Sequence, residues 1–186
     1  GLITPFLLGA HVFYLTKPPA PVVLLPALKK VRPRAVLSVP LLIEKIYRSV
    51  VLPKINKTWF MRQIYKLPPV RKVVNQLIGR GLVRIFGRNI HFFGIGGAAL
   101  AEDVEFFLRE ARFPYAIGYG LTETAPLIAG CGPKYTRYRS TGPALPGVSV
   151  KIDNPDPATG EGEILVRGPN VMKGYFKDPK KSNEKT

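Results

Sequence analysis

One short segment combines side chains that can bind a nucleotide and its metal ion. Gly118 and Gly120 flank Tyr119, and Thr122 and Glu123 follow after one leucine. The glycines let the backbone come close to a ligand because they carry no Cβ, and the aromatic ring offers a flat apolar face to a base. A threonine hydroxyl can donate to a phosphoryl oxygen, and a carboxylate is a hard ligand that suits Mg²⁺. The segment therefore predicts a site for a nucleotide and a divalent cation.

Each of these residue types also has a structural interpretation. A Gly-Tyr-Gly sequence is commonly a tight turn around a core tyrosine, and Thr122 could cap a helix that begins at Glu123. Likewise, Gly96 and Gly97 could simply end a strand. The motifs that flank the segment favour the functional interpretation.

The order of these motifs resembles the adenylate-forming superfamily of acyl-CoA synthetases, most closely its long-chain fatty-acid members. The signature of that superfamily is an aromatic-Gly-x-Thr-Glu core, which residues 119–123 match. The other similar segments are residues 39–47, 93–100, 141–147 and 162–169, the last followed by Gly174 and Tyr175. The resemblance covers nearly the whole chain.

The resemblance implies a two-step reaction. A fatty-acid carboxylate attacks the α-phosphorus of ATP to give an acyl-adenylate and pyrophosphate, and the thiol of coenzyme A then displaces AMP. Because two anionic reactants meet and pyrophosphate leaves, Mg²⁺ and fixed donors are needed where charge develops. The implied substrates are therefore a fatty acid, ATP and coenzyme A, and the implied metal is Mg²⁺.

The same resemblance implies a role for each residue of the motif. Tyr119 would lie against the adenine, Thr122 would bond the α-phosphate, and Glu123 would hold Mg²⁺. Thr122 and Glu123 are thus the predicted catalytic residues, and Glu123 is the predicted metal ligand. The predicted nucleotide-binding residues are Gly96, Gly97, Ala98, Gly118, Tyr119, Gly120, Leu121 and Thr122. The first three would line the passage between the acyl group and the nucleotide.

The resemblance further implies an internal part of a large N-terminal domain. The superfamily carries a Ser/Thr/Gly-rich phosphate loop before this region. After it come a Thr-Gly-Asp ribose clamp, a hinge, and a C-terminal domain with a catalytic lysine. None of these motifs occurs within the 186 residues. We therefore expect the 186-residue chain alone to be inactive.

The pattern of apolar runs and chain breakers predicts an α/β fold, in which a parallel-type sheet covered by helices precedes a smaller β-rich subdomain. Strands are predicted at residues 12–15, 35–39, 91–95, 115–118, 148–152 and 161–166. Helices are predicted at residues 2–8, 22–30 and 70–86, with another that begins near residue 101. We assign residues 1–130 to an α/β acyl- and nucleotide-binding portion and residues 131–186 to a β-rich portion.

Composition excludes several classes of protein. A chain with 46% hydrophobic and 10% aromatic residues is not disordered, and the single cysteine, Cys131, cannot form an internal disulfide. Residues 1–28 carry one charge, but five prolines interrupt this apolar run. It therefore predicts neither a membrane-spanning helix nor a signal peptide. These features are typical of a cytoplasmic protein.

Basic charge is concentrated in one third of the chain. Residues 29–90 contain 15 Lys or Arg and one acid, Glu44, and so carry +14 of the net charge of +16. Apolar residues recur at helical spacing from Val70 to Phe86, which predicts an amphipathic basic helix. Two interpretations stay open. The helix packs on the sheet with its charges solvated, or this region contacts an anionic membrane surface, with Trp59 as one candidate for lipid contact.

These patterns raise three alternative functions, of which two stay open. The first is an adenylate-forming ligase for a different acid. The second is a basic, peripheral membrane-binding module without catalysis. The third, nucleic-acid binding, is not favoured, because no Cys/His zinc spacing or RNP-like aromatic pattern is present.

Overall fold

The computed structural model describes residues 7–14, 16 and 20–185. The helices are α1 (Pro21–Val31), α2 (Pro40–Ile46), α3 (Leu52–Ile55), α4 (Trp59–Ile64), α5 (Pro68–Ile85), α6 (Glu102–Glu110) and α7 (Pro179–Lys185). A π-helical turn (Tyr47–Val51) joins α2 to α3, and a 3₁₀ turn spans Thr122–Thr124. The strands are β1 (Ala35–Ser38), β2 (Phe92–Ile95), β3 (Tyr115–Ile117), β4 (Tyr119–Gly120), β5 (Leu127–Ala129), β6 (Ser149–Asp153) and β7 (Glu163–Arg167).

A parallel sheet in the order β1-β2-β3 forms the centre of the fold. Ser38 lies opposite Ile95, and Ile95 lies opposite Ile117, so the three strands end at the same level. Helices connect each strand to the next, as the apolar pattern predicts. The predicted α/β fold is confirmed, and these strands match their predicted bounds to within one residue.

An antiparallel pair follows the α/β region. Strands β6 and β7 pair along their whole length, with Ser149 opposite Arg167 and Asp153 opposite Glu163. Both strands were predicted to within two residues. The division of the chain at residue 130 stays a prediction.

Two expectations for the first residues have different outcomes. The predicted helix at residues 2–8 lies mostly outside the described residues. The predicted buried strand at residues 12–15 is wrong for residues 12–14, and Leu15 is not among the described residues. Phe13 and Tyr14 are largely exposed, and no described strand pairs with this segment. An apolar run forms a strand only where a partner satisfies its backbone groups.

Three aromatic rings fix the end of α5 against the sheet. Phe86, Phe93 and Phe113 are buried, and their ring centroids lie 5.3 to 5.6 Å apart. Each such ring contributes about 1.5–3 kcal/mol by leaving water. Because the three rings come from the end of α5, from β2 and from the turn before β3, they fix where both strands begin.

Helix α5 is amphipathic, but its buried face is narrower than the sequence predicts. Val73 and Leu77 were expected in the apolar stripe, yet both are 58% exposed. The buried side carries Asn75, Gly79 and Leu82 instead. A Cβ on Gly79 would lie only 2.7 Å from the Cβ of Ala111, so glycine lets α5 pack tightly on the end of α6. Sequence periodicity alone could not predict this close approach.

Among the described residues, no helix combines the length and apolar composition needed to cross a membrane.

A polar network completes the contact between α5 and α6. Arg71 donates to both carboxylate oxygens of Glu110, with Nη2 to Oε1 at 2.9 Å and Nε to Oε2 at 3.1 Å. The buried Asn75 donates to Glu110 Oε2 at 2.7 Å and accepts from the Tyr65 hydroxyl at 2.7 Å. Arg71 is therefore held within the fold, and is not part of a solvated basic face.

The buried Glu105 connects α6 to the chain that follows residue 130. Glu105 is 1% exposed and accepts from the Arg139 backbone amide at 2.9 Å and from the Tyr115 hydroxyl at 3.3 Å. A guanidinium nitrogen of Arg139 lies 3.8 Å from its other oxygen. Burial and the Glu105 charge raise the pKa of Tyr115, so the phenol stays a neutral donor to this carboxylate.

We expect Glu105→Ala to lower the free energy of unfolding by about 2 kcal/mol or more, because it strands the Arg139 amide and the Tyr115 hydroxyl. Asp103→Ala is the matched control on the same helix. Its side chain is 51% exposed and contacts Arg48 only at 3.9 Å, so its cost should stay below about 1 kcal/mol. Urea denaturation of both variants measures the difference. Equal stability losses would show that the buried carboxylate does not anchor this segment.

Candidate functional site

The carboxyl ends of the parallel strands bring two glycine segments together. The Gly96 amide donates to the Ser38 carbonyl at 3.2 Å, and the Gly118 amide donates to the Ile95 carbonyl at 2.9 Å. Each segment therefore continues the sheet ladder by one residue before it turns away. This continuation places the predicted residues after β2 beside those after β3.

A cleft of about 650 Å³ lies at this edge of the sheet. Its lining includes six residues of the predicted nucleotide-binding set: Gly96, Gly97, Gly118, Gly120, Leu121 and Thr122. Leu37, Phe92 and Leu127 add apolar surface. The predicted residues Ala98, Tyr119 and Glu123 are not among the lining residues. The structure thus brings most of the predicted set together around one opening.

Two glycines of the cleft are required by the backbone itself. Gly97 has φ of 88°, which residues with a Cβ rarely adopt. At Gly120, a Cβ would overlap the Pro126 carbonyl oxygen. Larger residues at either position would distort the segment, so glycine here shapes the walls of the cleft.

The hairpin between β4 and β5 carries the predicted catalytic residues. Its 3₁₀ turn is held by Thr124, whose Oγ1 accepts from the Leu121 amide at 3.2 Å and lies 2.8 Å from the Pro126 carbonyl oxygen. The alternative role of Thr122 as a helix cap is therefore wrong, since Thr124 makes the capping contact. Thr122 is exposed and its hydroxyl makes no hydrogen bond within the described chain. It is available to a ligand in the cleft.

A distant segment supports this hairpin from behind. The Asn170 amide nitrogen donates to the carbonyls of Thr124 and Leu127, at 2.9 and 3.1 Å, and the Met172 amide donates to the Glu123 carbonyl at 2.8 Å. The Asn170 oxygen is buried without a partner among the described residues. The two bonds made by the amide nitrogen therefore fix the orientation of this side chain.

Tyr175 holds the predicted metal ligand. Its hydroxyl donates to Glu123 Oε1 at 2.7 Å, and its backbone amide donates to Ser182 Oγ at 2.8 Å. The hydrogen bond to Glu123, followed by burial and by the Glu123 charge, raises the pKa of Tyr175. The phenol therefore remains a neutral donor that orients the carboxylate.

Sequence reasoning assigned no role to Asn170, Thr124 or Tyr175. Gly174-Tyr175 was noted only as part of the motif order, and Asn170 only lies near the end of the 162–169 segment. Asn170 and Tyr175 contact the hairpin across 46 and 52 residues, so no local spacing could have indicated them. The side-chain contacts of Thr124 are local.

Glu123 is not part of a cluster of metal-ligating side chains within the described residues. Among the described residues, no three His, Cys, Asp or Glu side chains are grouped as a protein-only metal cluster would require. Mg²⁺ usually keeps several waters and is bound through one or two carboxylates together with substrate phosphates. An oriented carboxylate on the residue that follows Thr122 of the cleft wall therefore fits Mg²⁺ that arrives with a polyphosphate.

Comparison with known proteins identifies the family. The model for the family described as AMP-binding enzyme matches residues 1–176. The chain belongs to the AMP-binding enzyme family. Two further observations, from curated relatives and from a solved structure, agree with this assignment.

Curated relatives of this AMP-binding chain differ in the acids that they are named for. Probable 4-coumarate–CoA ligase 1 of Dictyostelium discoideum is 31% identical over 77% of this chain and 29% of its own length. Palmitoyl-CoA ligase FUM16 of Gibberella moniliformis is 29% identical over 80% of this chain and 25% of its own length. The chain therefore spans 25 to 29% of the length of these two relatives.

A solved structure shows the same fold. O-succinylbenzoate coenzyme A synthetase from Bacillus subtilis, in complex with ATP and magnesium ion, superimposes with a TM-score of 0.66 at 20% identity. The match covers 98% of this chain and 32% of the synthetase. The carboxyl-edge cleft thus lies in the fold of this AMP-binding family.

We expect Tyr175→Phe to loosen the hairpin, because the phenyl ring cannot donate to Glu123. Amide hydrogen exchange at Met172 and across residues 121–127 should become several-fold faster. Tyr135→Phe is the control, since Tyr135 is 78% exposed and should leave exchange unchanged. Unchanged exchange in Tyr175→Phe would show that the hydroxyl does not hold this loop.

The same contact predicts a pH dependence. A donor whose pKa is raised by folding stabilises the fold fully below its ordinary pKa of about 10, and this stabilisation is lost as pH rises through the raised value. A ¹³C NMR titration of labelled tyrosine should therefore show Tyr175 ionising above the ordinary tyrosine pKa of about 10. Ionisation of Tyr175 at or below that ordinary pKa would contradict the contact.

Proposed function

We propose that the protein containing this chain is an AMP-forming ligase that activates a long-chain fatty acid with ATP and transfers it to coenzyme A. The observation that carries this proposal is the cleft at the carboxyl edge. There, two glycine segments meet beside the exposed hydroxyl of Thr122. Glu123, whose carboxylate is oriented by Tyr175, is the next residue along the chain. Membership of the AMP-binding family supports it.

The residues of the hairpin would receive the nucleotide. Thr122, exposed in the cleft wall, would donate its hydroxyl to an oxygen of the α-phosphate. The missing Cβ atoms of Gly118 and Gly120 let the phosphates approach the backbone. Tyr119 is half-buried in β4, and its ring would lie against the adenine as an apolar face.

Glu123 would hold Mg²⁺, which when bound neutralises phosphate charge and favours departure of pyrophosphate. The contribution of the chain is to fix this carboxylate before the nucleotide arrives. Tyr175 and the backbone bond from Met172 do so. A carboxylate that needs no rearrangement costs little to engage when charge develops.

The proposed chemistry then proceeds in two displacements. The acid carboxylate attacks the α-phosphorus, a new P–O bond forms, and the bond to pyrophosphate breaks. The thiol of coenzyme A, after losing its proton, attacks the acyl carbon, and AMP leaves. Gly96, Gly97 and Ala98 would line the passage between the acyl group and the nucleotide, because larger side chains would obstruct it.

The walls of the cleft favour an apolar acid. Leu37 is 69% exposed and Leu127 is 40% exposed, and both line the opening. Such surface gains by covering an acyl chain. Similarity to a palmitoyl-CoA ligase supports a long-chain acid.

A second candidate is a ligase for an aromatic acid of the coumarate type, which is favoured by 31% identity to a probable 4-coumarate–CoA ligase. Both candidates share the same nucleotide chemistry and differ only in the acid. Pyrophosphate release by the full-length protein, measured with palmitate and with 4-coumarate, separates them. We expect the larger kcat/KM with palmitate. A preference for 4-coumarate would select the second candidate, and no acid-dependent pyrophosphate release from ATP would overturn the ligase proposal.

We expect Glu123→Gln in the full-length protein to slow acyl-adenylate formation by roughly 10²-fold or more, because the charge that holds the metal is lost while the shape is kept. Glu161→Gln is the matched control, since Glu161 is exposed in the turn before β7. ATP–pyrophosphate exchange across a range of Mg²⁺ concentrations reports the rate, and thermal unfolding reports stability. An unchanged rate with the same Mg²⁺ dependence would rule out this metal role.

A further inference from the structure

Three helices end in an arginine that adopts a left-handed backbone conformation. Arg32 follows α1, Arg88 follows the end of α5, and Arg112 follows α6, with φ of 53°, 65° and 53°. Glycine is the usual residue in this conformation because it has no Cβ to clash with the backbone, and asparagine is the next most common. Each arginine stands just before a strand of the parallel sheet. Since parallel strands begin at the same edge, all three lie at the amino edge.

Other basic side chains join them. We call the whole set the basic rim: Lys29, Lys30, Arg32, Arg34, Arg80, Arg84, Arg88 and Arg112. All eight residues are exposed. Four of them, from Arg80 to Arg112, line a groove of about 550 Å³ between α5 and the end of α6. The rim therefore has a concave part in which several guanidinium groups converge.

No carboxylate in the described part of the chain neutralises this charge. No ion pair among the described residues includes a member of the basic rim. Glu110, at the end of α6, is already occupied by Arg71 and Asn75. Of the rim side chains, Arg32 donates to the Gly87 carbonyl at 3.2 Å. The convergent charges thus repel one another and attract anions from outside.

Apolar side chains adjoin the rim on α5. Val73 and Leu77 are each 58% exposed, and their spacing to Arg80 and Arg84 is that of one helix face. Exposed apolar residues beside arginines are typical of helices that lie at a membrane surface. A nucleic acid or a soluble anion would leave Val73 and Leu77 in water.

We propose that the basic rim docks the protein on a membrane surface that carries anionic phospholipids. Guanidinium groups bind phosphate oxygens bidentately, and the four arginines of the groove would engage lipid headgroups in this way. Val73 and Leu77 would contact the boundary between headgroups and acyl chains. The cleft lies at the opposite edge of the sheet and stays open, so docking is independent of the proposed ligase activity.

The rim is a second candidate surface, separate from the segment around Trp59 that the sequence indicated. Trp59 and Phe60 are exposed, but they precede α5, whose 18 residues span about 27 Å. Arg71, which lies between them and the rim, is held by Glu110. The basic side chains that converge in a groove are at the far end of α5.

Vesicle co-sedimentation of the full-length protein tests the proposal. Vesicles of phosphatidylcholine with phosphatidylserine should bind the protein, and vesicles of phosphatidylcholine alone should not. Replacement of Arg80, Arg84, Arg88 and Arg112 by Gln should lower partitioning onto the anionic vesicles by roughly 10³-fold. Binding should also fade above physiological ionic strength, where the screening length falls below about 8 Å.

A matched variant removes the same charge elsewhere, by replacing Lys134, Arg137, Lys173 and Lys180 with Gln. It should bind anionic vesicles almost as wild type does, and both variants should keep wild-type thermal stability. The single change Leu77→Ser keeps all charges and should weaken vesicle binding if the apolar contact is real.

Three outcomes would overturn docking on lipid. One is equal loss of vesicle binding in the two four-residue variants, which would indicate nonspecific charge. Another is tight binding of inorganic pyrophosphate at the groove without binding to anionic vesicles, which would indicate a site for a free anion. The third is preference for a DNA duplex over anionic vesicles at the same salt concentration.

Discussion

Parallel hydrogen bonding between β1, β2 and β3 places the ends of all three strands at one edge of the sheet and their beginnings at the other. At the carboxyl edge, the ladder extends into Gly96 and Gly118, so two segments far apart in sequence become the two sides of one cleft. At the amino edge, the same constraint gathers the arginines that end the preceding helices. Both proposed surfaces follow from this single pairing, and neither exists in any one element alone.

The candidate site also depends on the shape of the hairpin between β4 and β5. Its own turn is short and is held locally by Thr124, but Asn170, Met172 and Tyr175 bond it from the chain after β7. The glycines that open the cleft could not by themselves fix a carboxylate or a hydroxyl. Distant side chains supply the rigidity that nearby glycines lack, which is how a flexible sequence can give a preorganised site.

Local signals in the sequence were enough for the parallel strands and for the antiparallel pair, because apolar runs bounded by glycine, proline and charge mark them. The resemblance to the adenylate-forming superfamily implied that the Gly96 and Tyr119 segments share one site. Periodicity failed where packing is decided by another element. Val73 and Leu77 look like core residues, yet α5 turns Asn75 and Gly79 inward, because Glu110 satisfies the amide and Ala111 leaves room only for glycine. The Tyr175 contact, 52 residues from its partner, and the left-handed arginines leave no pattern that spacing could reveal.

The nucleotide site is tested most directly by a structure of the full-length protein with ATP and Mg²⁺. We expect the nucleotide in the carboxyl-edge cleft, with Thr122 Oγ1 within about 3 Å of an α-phosphate oxygen and a Glu123 oxygen about 2.1 Å from the metal. Tyr175 should still donate to the same carboxylate. A nucleotide bound away from Gly96, Gly118 and Gly120, or a metal held by other carboxylates while Glu123 stays uncoordinated, would contradict the assignment of this cleft.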